Sequence, residues 1–266
     1  YLRYNYTYKD KIEAGFVMEK DPGEYIFKNK LNDSIRRLLD GRCYSGFDMF
    51  SFHLCCINFW FLKTLVIGDY KLSFGQGLTM GSGMAFVAKG GSLLRRNRKI
   101  TASKSANETH YLRGIAGTLE LKNFELSFFY SNINSDANII SYDTLNDKPL
   151  KVSSLQQSGL HRTYNEMLDR RVIRQQLYGL NLSYEKSSFQ FGYTIHKTDL
   201  SADLHPEGNI YNSFYFRGRN IINQGIDFYY IANRIFIYGE AAMSDNKAFA
   251  GLLGTTIQPT GYIELT

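Results

Sequence analysis

The chain has 266 residues, 44% of them hydrophobic, with a formal net charge of +6 and a mean hydropathy of −0.30. That length suits one large all-β domain or two ordinary ones. No stretch approaches the ~18–20 uninterrupted apolar residues of a membrane-spanning helix, because Asn58 and Lys63 interrupt the longest candidate, Cys55 to Ile67. A helical membrane protein is therefore not expected, whereas a β-barrel stays open, since alternation halves the apparent hydropathy of a spanning strand.

The first run alternates Leu2, Tyr4, Tyr6 and Tyr8 with Arg3, Asn5 and Thr7. Lys9-Asp10 turns the chain, and Ile12, Ala14, Phe16 and Met18 then alternate with Glu13, Gly15 and Glu19. A third strand is predicted over 47–59, with Phe50, Phe52 and Leu54 on one side. A fourth covers 63–75, with Val66, Tyr70, Leu72 and Phe74 opposite Asp69, Lys71 and Ser73. A fifth spans 110–120, and a sixth follows Lys122-Asn123 with Phe124, Leu126, Phe128 and Tyr130 on one face. The clearest hairpin lies at 176–197. There Tyr178, Leu180, Leu182 and Tyr184 are followed, after Lys186-Ser187-Ser188, by Phe189, Phe191, Tyr193 and Ile195. Period two over two runs joined by a polar turn is an antiparallel hairpin with one apolar face. Further hairpins are predicted around Ala232-Asn233 and at Gln258-Pro259-Thr260.

The connections alternate in length. Tight turns fall near 10, 61, 122, 187, 233 and 259, with mostly longer connections between them, over 20–46, 76–108, 132–175 and 199–220, and one short one near Ser244 to Lys247. Greek-key sandwiches mix loop lengths, whereas outer-membrane barrels keep short turns at the periplasmic end and long loops outside. Runs of ~10–12 residues also exceed the ~5–6 of a soluble strand and suit a tilted bilayer crossing. The second face holds Glu13, Glu19, Asp69, Glu125, Asn181, Glu185, Gln190, Asp227 and Glu240, a set that fits a polar lumen. Burying so many carboxylates in a soluble core costs several kcal/mol each unless they are paired. The expected fold is thus all-β: an antiparallel transmembrane β-barrel of about twelve or more strands, as one domain over 1–266. Tyr178, Leu180, Leu182, Phe189, Phe191 and Tyr193 are expected to face lipid. A large soluble barrel or sandwich with a ligand cavity is the competing reading. Arginine at Leu180 or Phe191 should be costly, and at Asn181 far milder.

The remaining composition agrees. Tyr (20) and Phe (19) are abundant and favour strands and wet-edged interfaces, while Trp occurs once. Pro22, Pro149, Pro206 and Pro259 all fall in expected loops or turns, outside the ladders that proline disrupts. The +6 charge reads as mild basicity, with one local cluster at Arg95-Arg96-Asn97-Arg98-Lys99. Cys43, Cys55 and Cys56 suggest neither a disulfide framework nor a metal site, and the five histidines lack ligand spacing. The opening "YLRYNYTYK" and closing "GYIELT" both read as mid-strand, so a segment of a longer protein is expected.

Five motifs occur in order: "EKDPGE" (19–24), "GFDMFSFHL" (46–54), "GDYKLSFGQGL" (68–78), "YLRG" (111–114) and "SGLHRTYNE" (158–166). As a set they resemble Bacteroidota-type outer-membrane barrels found downstream of a helix-hairpin-helix region. The resemblance implies an outer-membrane location in a Gram-negative bacterium and leaves any nucleic-acid connection to a region before Tyr1. Within these motifs, Gly75 and Gly77 allow a strand end to bend into a loop, and "DPGE" reads as a turn. Glu19, Asp21, Glu24, Asp69, Glu108, Arg113, His161 and Arg162 are expected to form a charge network in the lumen or under the loops.

Catalysis has one sequence candidate, Ser158 with His161 and Glu166, a local arrangement that needs spatial convergence and an oxyanion site to work. "GSGMAFVAKGG" (81–91) lacks the phosphate-loop spacing, and "YNSFYFRGRN" (211–220) reads as an interfacial aromatic girdle. No cofactor or metal is expected. The leading expectation is a non-enzymatic module, either a scaffold subunit of an outer-membrane complex or a narrow plugged pore. Its partners would be outer-membrane lipid and other outer-membrane or periplasmic proteins. The alternatives are an uptake channel with a periplasmic nucleic-acid-binding domain, and an outer-membrane lipid hydrolase.

Overall fold

The computed structural model describes residues 1–20, 47, 49–81, 99–105, 110–143, 148–159, 161–208, 210, 215–260 and 263–265. Its strands are β1 (Leu2–Tyr8), β2 (Ile12–Glu19), β3 (Met49–Phe59), β4 (Leu62–Ser73), β5 (Lys99–Ala102), β6 (Leu112–Leu121) and β7 (Phe124–Ser135). They continue as β8 (Ala137–Asp143), β9 (Lys148–Leu155), β10 (Ile173–Lys186), β11 (Phe189–Leu204), β12 (Gly218–Ala232), β13 (Ile235–Ser244), β14 (Phe249–Thr260) and β15 (Ile263–Leu265). One short helix, α1 (Tyr164–Leu168), precedes β10.

Twelve strands form the wall in the order β1-β2-β3-β4-β6-β7-β10-β11-β12-β13-β14-β15. Every neighbour along this path is antiparallel, as in an up-and-down β-barrel. Among the described residues, no ladder joins the first strand to the last two. Five tight turns sit where the sequence predicts them, near 10, 61, 122, 187 and 233, whereas Gln258-Pro259-Thr260, expected as a sixth, lies within β14, which runs to Thr260. Residues Asp10, Trp60, Lys122, Ser187 and Asn233 adopt positive φ there, the left-handed conformation that closes two-residue hairpins.

The faces are inverted relative to a water-soluble domain. In β10 and β11, Tyr178, Leu180, Leu182, Phe189, Phe191 and Tyr193 are exposed, Leu180 at 48%. Between them Asn181, Ser183, Gln190, Thr194 and His196 are buried, Asn181 at 2%. The same outward apolar row runs around the sheet through Phe52, Leu54, Ile67, Ile115, Leu126, Ile226 and Leu252. A soluble monomer avoids exposing a continuous apolar surface of this kind, whereas a bilayer solvates it.

β4 does not stay in the wall. Its ladder to β3 ends at the pair His53–Gly68, and Gly68 has φ +102. Beyond that point β4 pairs with β5, from Tyr70–Ala102 to Ser73–Lys99. Tyr70, Leu72, Phe74 and Ile100 pack on Ala116, Phe129 and Leu177 of the wall, with Phe74 stacked on Phe129 at 5.8 Å. β4 and β5 therefore fold into the interior.

The connection between β7 and β10, expected as a long loop, carries its own structure. β8 and β9 form a hairpin, and β9 pairs in parallel with the extended end of β11 at Asp203–Lys151 and Leu204–Val152. Ala137, Val152, Ile173, Leu200 and Ala202 make a second small core there, at the end opposite the tight turns.

Candidate functional site

The interior is organised by two acidic centres and one seam. Glu240, buried on β13, accepts three backbone N–H groups from the segment that follows β4. Gln76 N donates to Oε2 at 2.7 Å, Leu78 N to the same oxygen at 3.1 Å, and Thr79 N to Oε1 at 2.6 Å. Charge-assisted bonds of this type are about twice as strong as neutral ones. Gly75 makes the approach possible. Its φ is +53, and a Cβ there would lie 2.7 Å from the Asp227 Cβ and 2.9 Å from Glu240 Oε2. Gln190 Nε2 donates to Asp227 at 3.1 Å. Residues 74–81 thus reach across the interior from β4 to β12 and β13.

The second centre is Glu125, near the tight-turn end of β7. It is paired with both Lys63 of the wall and Lys99 at the start of β5, and Lys99 Nζ also donates to Ser183 Oγ at 2.5 Å. Lys99 ties the tip of the inserted β4–β5 unit to the wall. Together, Glu240 and Glu125 fasten the insert at two places.

The seam lies where β4 leaves the wall. Asp69 is 0% exposed, and its carboxylate takes Arg113 Nε at 2.6 Å and Nη2 at 2.8 Å. It also accepts the Phe52 N–H at 3.3 Å, while Arg113 Nη2 donates to the Phe50 carbonyl at 2.6 Å. Two side chains thereby supply bonds to the backbone of β3 beyond the point where its β4 ladder stops. The Arg113 guanidinium also lies over the rings of Phe52 and Tyr111, at 5.8 and 5.2 Å, a favourable cation–π arrangement.

Of the network expected from sequence, Asp69 and Arg113 meet directly. Asp69 sits in the wall seam, not in an open lumen. His161 pairs with Asp136, at 2.6 Å between Nε2 and Oδ2, and Asp136 Oδ1 accepts the Arg171 N–H at 2.8 Å. Burial by itself raises the Asp136 carboxyl, but the His161 and Arg171 hydrogen bonds outweigh it and hold the group below its ordinary value. Glu19 closes β2 opposite Met49. Arg162 donates its backbone N–H to Glu166 at 2.8 Å. Asp21, Glu24 and Glu108 lie outside the described residues, as do Cys43, the Arg95–Arg98 cluster, residues 82–91 of the glycine-rich loop and residues 211–214 of the aromatic stretch, whose end at Gly218–Asn220 belongs to β12.

The Ser158–His161–Glu166 arrangement is not assembled. Glu166 is the N3 residue of a capping box on α1. It accepts the Thr163 N–H at 2.9 Å, and its own N–H donates to Thr163 Oγ1 at 3.3 Å. The Thr163 and Arg162 N–H bonds hold the Glu166 carboxyl below its ordinary value. The acidic partner of His161 is Asp136, and among the described residues no hydrogen bond joins Ser158 to His161.

No family model matches the chain, and no curated protein matches it in sequence. Among solved structures it is similar to OmpTdeltaL8, a loop L8 deletion mutant of OmpT, an outer membrane protein of Vibrio cholerae. The alignment covers 98% of this chain and 80% of that one, at 11% identity and a TM-score of 0.37.

Proposed function

We propose that the protein is an outer-membrane β-barrel whose lumen is filled by its own β4–β5 insert, acting as a non-enzymatic structural subunit or narrow plugged pore. The carrying observation is the Glu240 carboxylate binding three backbone N–H groups of residues 76–79 from across the interior. With twelve wall strands, the barrel lies between the ~8-stranded ones whose side chains fill the interior and the ~16–18-stranded porins that leave an aqueous channel, and the insert occupies the space between. The apolar outer rows would meet lipid, and the tight turns would lie on the periplasmic side. A Bacteroidota-type host and partners among other outer-membrane or periplasmic proteins complete the proposal. The lipid-hydrolase alternative is not favoured, because Glu166 is committed to its helix cap.

The test is conductance across a planar bilayer. The wild-type protein should show little or no steady current, and Glu240→Ala should raise it by freeing the insert. A wide, steady wild-type conductance, or a Glu240→Ala current no larger than wild type, would overturn the proposal.

A further inference from the structure

The β4–β5 insert divides the interior unequally. One of its faces packs on β6, β7 and β10 through Tyr70, Leu72 and Phe74. The other leaves a cavity of about 670 Å³ towards β1, β2 and β3. That volume lies within the ~300–1,000 Å³ of small-molecule sites.

The polar lining is strongly biased in charge. Arg3 of β1, Lys71 of β4 and Lys104, just after β5, face a single carboxylate, Glu13 of β2. Glu13 is already committed: Lys104 Nζ pairs with its Oε1, and His53 Nε2 lies 3.5 Å from the same oxygen. Among the described residues, neither Arg3 nor Lys71 has a carboxylate partner. The hydroxyls of Thr64 and Thr101 line the same space and can add hydrogen-bond donors. Arg3, Thr101 and Lys104 are exposed, so the space opens to solvent, and two unmatched cations on its concave wall give it a positive potential that attracts anions. Arginine's fork and lysine's point charge are the usual pair for phosphate oxygens.

We propose that this cavity is a binding site for a small phosphorylated solute carrying two or more negative charges. Arg3 and Lys71 provide the charge, and Thr64 and Thr101 provide neutral donors. Lys104 stays on Glu13 and shapes the wall. The site does not depend on whether the barrel conducts, since binding needs no gradient.

The experiment is calorimetric titration of the purified barrel in detergent micelles with inorganic pyrophosphate, at low and high salt, with sulfate as comparison. Saturable binding that weakens with salt is expected. Arg3→Gln and Lys71→Gln should each weaken it about tenfold or more, and Lys148→Gln, outside the cavity, should leave it unchanged. Thr101→Glu, which places an anion inside, should abolish it. Each variant is first shown to keep the wild-type mobility shift between unboiled and boiled gel samples. Absence of saturable wild-type binding, Arg3 and Lys71 variants that bind like wild type, or sulfate binding as tightly as pyrophosphate would overturn the assignment.

Discussion

Arginine at Leu180 tests the outer face most directly. Leu180 lies 6 residues before Lys186, where β10 enters its tight turn. At ~3.4 Å per residue along a strand tilted ~40°, that places it roughly 16 Å above the turn. An apolar band about 25 Å tall then puts it near the bilayer midplane, where arginine costs ~2–4 kcal/mol. Its cross-strand neighbours Ile195 and Phe128 offer no counter-charge. The matched control needs an inward position with room for a long side chain. Asn181 does not provide one: it is buried, and its amide donates to Thr194 Oγ1 at 2.9 Å. The mild effect expected there from sequence is replaced by a penalty for overpacking and a lost bond. Thr64 borders the interior cavity and is the roomier inward position; because it lies only two residues into β4 from the tight turn, its outward neighbour Leu65→Arg is measured beside it to separate depth from face. Reversible unfolding by urea in lipid vesicles should show Leu180→Arg destabilised by the stated amount and Thr64→Arg by much less. Equal losses at both sites, or none at Leu180, would mean that the outer rows do not meet lipid.

Three further outcomes follow from the interior. Asp69→Asn removes the charge from a fully buried acceptor and leaves Arg113, about a third exposed, without its partner. A loss of ~1–3 kcal/mol, discounted for that exposure, should lower the temperature of the gel-mobility shift. Gly75→Ala adds a Cβ against Asp227 and Glu240 at a left-handed position, so amide exchange should speed up at residues 76–79 while the wall strands stay protected. Asp136 is held below its ordinary carboxyl value of 3.8. Its contribution is therefore present above that pH and lost as pH falls through the lower folded value. Asp136→Asn should flatten the acid limb of thermal stability for the end that carries α1, and an unchanged limb would count against the His161–Asp136 pair.

Much of the wall was legible because strand pairing across tight turns preserves strict alternation. The Tyr178–Tyr184 and Phe189–Ile195 rows face outward as their spacing predicts. β8 and β9 were hidden because their ladder shifts register at three places, between Asn138 and Ile139, Ile139 and Ser141, and Ser141 and Tyr142. Each shift breaks the period on which a sequence reading depends. The glycines at 75 and 77 marked a bend, but nothing local says that the bend turns inward. That is decided by Glu240, which lies 161 residues from Thr79. Asp136 was missed as the partner of His161 for the same reason of distance. The helix cap, by contrast, was readable: Thr163-x-x-Glu166 is the capping-box pattern, and it accounts for the glutamate that the catalytic reading had claimed.

The latch on Glu240 also sets an order of assembly. Its donors come from the fourth wall strand's extension, while the acceptor arrives on the thirteenth strand, 161 to 164 residues later. Contacts of such separation form late, because the intervening loop must close first. The β4–β5 hairpin can settle on β6, β7 and β10 earlier, but the N–H groups of residues 76–79 lack this acceptor until β13 arrives. Closing that last latch is a step that only a nearly complete wall can take. A chain stalled before β13 would carry an unlatched, protease-sensitive segment at 76–79, which distinguishes unfinished molecules from finished ones.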